Sequence, residues 1–240
     1  EDRLLFDAAP APTPTPDAPI DDPLAPAVQA DSGAQTTPPA ERAAGDLAQQ
    51  AEAPTRTEVV FVDKRVGNYE TLVAEVIRDA TAEVHFLDRH SDGLAQIAAA
   101  LAGRHDVDAL HIISHGDRGQ LLLGTTVLTQ QSMQQVYAQT LQAIGGALTE
   151  NGDILVYGCD FAQGAEGLAA AQLLSQLTGA DVAASSNDTG HENLQADWIL
   201  EVQIGTIEAP VIVSQAAQQR FVGMLAEPIA AFLISDATDQ

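Results

Sequence analysis

Two short stretches of this chain end in residues able to do chemistry. "HIISHG", residues 111–116, and "ILVYGCD", residues 154–160, each read as a buried apolar strand followed at once by a reactive side chain. The first delivers His115 and the second Cys159, the single cysteine of the chain. A thiol is a nucleophile only as thiolate, and a nearby imidazole lowers its pKa from about 8.5 by a unit or more. Gly116 leaves room for a substrate backbone. Its N–H, with that of Cys159, is placed to form an oxyanion hole for a tetrahedral intermediate. Gly158 permits a tight turn out of the strand. Ser114 and Asp160 are expected to flank the pocket, and His191, in a polar loop beside Asn187, Asp188 and Glu192, to form a wall of it. Each has a plainer alternative. A lone cysteine in an α/β domain is usually a small buried hydrophobe, Ser114 and Asp160 would cap loops, and His191 would lie on a surface loop. His111 and His85, inside strands, are expected in the core or facing a helix.

Positioning such a pair requires two neighbouring parallel strands, since parallel sheets carry their chemistry at the carboxyl ends of strands. The pattern from Glu58 onward supplies them. Strands are predicted at 58–63, 82–88 and 107–114, with helices at 69–80 and 91–104 between them, which is the rhythm of crossover connections. "GQLLLGTTVLT" (119–129) reads as a hairpin around Gly124, and 130–148 as one long helix with Met133, Val136, Tyr137, Leu141 and Ile144 at helical spacing. A strand at 153–158, a helix at 164–179 and a strand at 181–185 follow. Residues 186–208 suggest a loop, a strand holding Trp198 and Leu200, and a last short strand. The fold class is α/β, a mainly parallel central sheet with helices on both faces and a short hairpin.

Composition bounds the rest. Of the 12 prolines, 10 lie in residues 1–55, so that stretch is expected to be an extended or disordered linker. The α/β domain is expected at 56–213, with 214–240 as an exit segment leading to a following domain. A net charge of −24 argues against nucleic acid as a partner, because phosphate binding needs basic patches. No apolar run approaches the roughly 18 residues of a membrane span, so membrane insertion is not expected. "GDRG" (116–119) lacks the Gly-Lys-Ser/Thr ending and the following helix of a phosphate loop, which leaves a flavodoxin-like nucleotide binder as the weakest reading. Asp181, Asp188, Glu192 and Asp197 lack the spacing of a calcium loop and read as solvated charges. No cofactor is required and no metal ligand set is assigned, although the acidity leaves calcium open.

An apolar strand ending in His-Gly, with the next core strand ending in Cys, resembles the caspase-like cysteine peptidases. That resemblance implies a three-layer caspase-like sandwich with His115 as general base or acid and Cys159 as nucleophile. The residue before the cysteine, in "YGC", departs from the small or acidic residue often found there. "VVFVDKRVGNYETLV", "DALHIISHGDRGQLLLG", "DILVYGCDFAQGAEG" and "TGADVAASSNDTG" resemble an uncharacterised domain near the N-termini of giant repeat-built bacterial adhesins exported by type I secretion. "EDRLLFDAAP" is similar to the short segment preceding that domain. This likeness implies a secreted or cell-surface location, with the other domains of the same large protein as partners. Two functions follow as expectations. One is a cysteine endopeptidase-like hydrolase acting on a polypeptide, its own chain included. The other is an inert module for surface retention or display.

Overall fold

The computed structural model describes residues 56–79 and 82–226, with the backbone alone over 75–79. The expected linker, 1–55, and the end of the exit segment, 227–240, lie outside the described residues. The chain enters through β1 (Glu58–Asp63), α1 (Tyr69–Asp79), β2 (Glu83–Leu87), α2 (Gly93–Ala100) and β3 (Val107–Ile113), in the predicted rhythm. Three short strands follow: β4 (Gly116–Asp117), β5 (Gln120–Leu123) and β6 (Thr126–Thr129). Then come α3 (Gln130–Gln135), α4 (Ala138–Gly145), β7 (Leu148–Tyr157), α5 (Gly164–Thr178), β8 (Asp181–Ala184), β9 (Val202–Ile204) and α6 (Gln215–Arg220).

The main sheet runs β2-β1-β3-β7-β8-β9. Its first five strands are parallel, and β9 closes one edge antiparallel to β8. A strand covered on both faces must be apolar at successive positions, and the central strands are. Phe61, Ile112 and Val156 point into one core with Ile97 of α2, Ile144 of α4 and Leu174 of α5. Val62, Ile113 and Tyr157 point into the other with Leu72 of α1 and Ala217 of α6. The result is the expected three-layer sandwich. The hairpin is the β5–β6 part of a second, three-stranded antiparallel sheet that β4 completes.

Three expectations meet a different structure. The helix of 130–148 is two helices, α3 and α4, broken at Val136 and Tyr137. Tyr137 turns its hydroxyl to donate to Asp92 Oδ2 at 3.0 Å, while Val136 is exposed. The apolar period runs on across the break because Met133, Leu141 and Ile144 all face the same core. Trp198 and Leu200 are buried without belonging to a strand. Trp198 packs edge-on against Phe221, 5.6 Å between ring centres, and at a tilt against Tyr157. Finally, residues 214–226 fold back onto the domain instead of leaving it. α6 lies on the face of α1, and Phe221 and Leu225 are core residues. No helix among the described residues is long and apolar enough to cross a membrane.

Candidate active site

The two strands that carry the pair are neighbours. β3 and β7 pair in parallel with Ile113 opposite Tyr157, so His115 and Cys159 leave the sheet at the same edge, each two residues beyond its strand. The next-door strand on the other side of β3 is β1, where the strand order reverses, the usual place for a site in an open α/β sheet. Gly116 makes the close approach possible. A Cβ there would fall 2.6 Å from the Cys159 carbonyl oxygen and 2.7 Å from the Gly158 carbonyl carbon. The His-Gly end of β3 therefore rests directly on the Gly-Cys peptide of β7.

Neither reactive side chain faces water: His115 is 2% exposed and Cys159 1%. The imidazole lies between two backbone carbonyls, with Nδ1 3.0 Å from Leu225 O and Nε2 3.1 Å from Arg65 O. A neutral ring donates to one of these at a time. The Cys159 sulfur accepts the Thr189 N–H at 3.0 Å and its thiol points back to the Thr189 carbonyl at 3.5 Å. Burial pushes the thiol up to about 12, and the Asp188 and Asp160 carboxylates add to the push. The Thr189 and Leu225 N–H groups, which would stabilise a thiolate, oppose it. In this arrangement the sulfur is a protonated thiol at neutral pH.

What covers the pair is the chain itself. Residues 223–226 run as an extended strap across the sheet edge. Met224 bridges Gly190 in antiparallel fashion and Ala226 bridges Gly116 in parallel fashion. Leu225 donates to Thr189 O at 2.8 Å, His191 donates to Gly223 O at 2.9 Å, and the Leu225 side chain is fully buried. The expected oxyanion-hole residues, Gly116 and Cys159, thus lie under this strap.

The other expected pocket residues are placed differently. Ser114 is buried, and its hydroxyl donates to the Leu122 carbonyl, holding β5 to the end of β3. Asp160 adopts a left-handed φ of 56°. Its N–H donates to Asn187 O at 2.8 Å and its carboxylate accepts from the Gln163 amide, so it shapes the turn into α5. Burial first, then Asp188 and Asp117, push its carboxyl above the usual range. His191 is buried rather than on a surface loop. Its Nδ1 accepts from Asn193 N–H at 3.1 Å and its Nε2 meets Gln219 O at 3.3 Å, which ties the 190s loop to α6. His111 is a core residue as expected. It stacks on Tyr157, and its Nδ1 lies 3.1 Å from the Tyr157 hydroxyl.

Asp181 does not group with Asp188, Glu192 and Asp197 among the described residues. It groups with Asp153 and Glu208, at the opposite edge of the sheet, in an arrangement that could hold a metal ion. A signal for it was present, since an aspartate opens each of the strands expected at 153–158 and 181–185.

No curated protein matches the chain. A family model does match, over residues 59–225, from the second residue of β1 to the middle of the strap. It covers both strand ends, the sealing segment as far as Leu225 and most of the 240 residues, and the chain belongs to that family, the domain of unknown function DUF4347.

Proposed function

We propose that this domain is a latent cysteine hydrolase of the caspase-like type, carried in a large secreted surface protein and acting on extended polypeptide, its own chain first. The observation that carries the reading is the strap. A stretch of extended backbone pairs on both sides, with Gly190 and with Gly116, directly over Cys159 and His115, which is how a peptide substrate would lie. With the strap displaced, Cys159 regains water and its thiol becomes accessible. Its sulfur then adds to a peptide carbonyl carbon while His115 takes the thiol proton. The C–N bond breaks, His115 passes that proton to the leaving amine, and water cleaves the thioester. The N–H groups of Gly116 and Cys159 would hold the oxyanion.

A second reading, an inert display module, is favoured by one specific observation: the sealed thiol with its pKa pushed up to about 12. Iodoacetamide labelling of Cys159 against pH separates the two. In the native chain labelling is slow at neutral pH. In Leu225→Ala it accelerates, with a midpoint below 9, and the further substitution His115→Ala abolishes that advantage. A Leu225→Ala thiol that labels only as fast as the protein globally unfolds, whether or not His115 is present, would leave the display module as the function.

A further inference from the structure

The edge of the sheet opposite His115 and Cys159 carries its own constellation, which stands apart from the hydrolase reading. Asp153 and Asp181 are register partners where β7 and β8 begin to pair. The turn after β9 wraps them closely. A Cβ on Gly205 would fall 1.9 Å from Asp181 Oδ1, and the Thr206 N–H donates to Asp181 Oδ2 at 2.9 Å. The Glu208 and Ala209 N–H groups donate to Asp153 Oδ2 at 3.0 and 2.7 Å. This turn carries the Glu208 carboxylate to the two aspartates. One oxygen from each of the three lies within 4.8 Å of the others.

Asp153 gives the cluster its direction. Its side chain is completely buried. Oδ2 serves those two amides and the Arg56 guanidinium at 3.3 Å, whereas Oδ1 has no hydrogen-bond partner among the described residues. A buried carboxylate oxygen with nothing to accept from is costly, and so are three like charges held this near one another. Both costs disappear if a cation sits among them. The Arg56 guanidinium, which also lies 3.9 Å from Glu58, leaves the three carboxylates short of counter-charge.

We propose that the carboxylates of Asp153, Asp181 and Glu208 bind a hard divalent cation of calcium's size. All three donors are carboxylate oxygens, and among the described residues no histidine or cysteine joins the group to favour zinc or copper. Oxygens within 4.8 Å of one another fit around one ion at the Ca–O distance of about 2.4 Å, and water completes its shell. Magnesium, which demands shorter bonds and a stricter octahedron, fits less well. The bound ion clamps the point where β7 and β8 begin to pair to the turn that follows β9.

The test uses the whole 240-residue chain. Its thermal midpoint is measured in EDTA and across rising free calcium, with magnesium at matched ionic strength, alongside calorimetric titration. The midpoint should climb with the logarithm of calcium concentration, with one ion bound per chain. Glu208→Gln, an exposed position safe for folding, should weaken calcium binding at least tenfold while leaving the midpoint in EDTA equal or higher. Asp181→Asn should do the same. A midpoint indifferent to calcium overturns the proposal. So does a shift that magnesium reproduces and Glu208→Gln retains, because that is diffuse screening of a highly acidic chain.

Discussion

Buried protonation states decide how single residues behave here. The Tyr157 hydroxyl accepts the Ile212 N–H at 3.1 Å and lies 3.1 Å from His111 Nδ1. His111 Nε2 has no hydrogen-bond partner among the described residues and lies 3.7 Å from a Glu58 carboxylate oxygen. Burial first, then Arg56, depress His111 to about 3. The unfolded chain then binds a proton below about 6.5 that the native state refuses. Native stability must fall as pH drops from about 6.5 towards 3, by up to ~1.4 kcal/mol per unit from this residue. Urea midpoints in His111→Phe should show a shallower slope in that window than the parent. The sign reverses for Cys159, whose raised value makes the native state hold its proton while the unfolded thiol has lost it. Its contribution is present below about 9 and disappears as pH rises towards 12, and Cys159→Ala should flatten that alkaline limb. Gly116→Ala acts sterically. The new methyl meets the Cys159 carbonyl at 2.6 Å, so the two strand ends must part, and a loss of ~2–3 kcal/mol in chemical denaturation is expected.

At the scale of elements, the central strands and their crossover helices were legible because burial on two faces leaves unbroken apolar runs, as in "VVFV" and "ILVY". The break between α3 and α4 was not, since a periodic stripe looks the same whether one helix or two carry it. Tyr137 bends there to reach Asp92, a partner 45 residues away. A local signal did mark the start of α3. The Thr129 hydroxyl accepts the Ser132 N–H at 3.1 Å, and the Ser132 hydroxyl accepts the Thr129 N–H at 2.8 Å. Thr129→Ala should therefore cost about 1 kcal/mol of stability, read from the urea midpoint. The Cys–His placement was legible from strand ends alone, whereas the partners that seal it were not. Leu225 O lies 110 residues along the chain from His115, and a backbone carbonyl leaves no mark in side-chain patterning. Trp198 and Leu200 taught the converse: their apolarity reported burial, not strand.

For the molecule as a whole, residues 214–226 decide whether the carboxyl edge of the sheet is open or shut. Phe221 roots the segment on Trp198, and Leu225 plugs into the core shared with Cys159. Leu225→Ala should lower global stability by ~2–4 kcal/mol. Hydrogen exchange should show the Leu225 and His191 amides opening before those of β3 and β7, and an equal protection of both sets would mean that the strap never parts on its own. The direction of the strap has a mechanical consequence. Tension applied to the backbone after Ala226 loads the Gly116 bridge first, then the Leu225 contacts with His115 and Thr189, then the Gly190 bridge. When the strap is pulled away from the sheet edge, the bonds part in succession, as in a zipper, whereas a pull along the strap loads them together, as in a shear joint. A pull directed away from the sheet edge would therefore bare the cysteine first, with the six-stranded sheet beneath still intact.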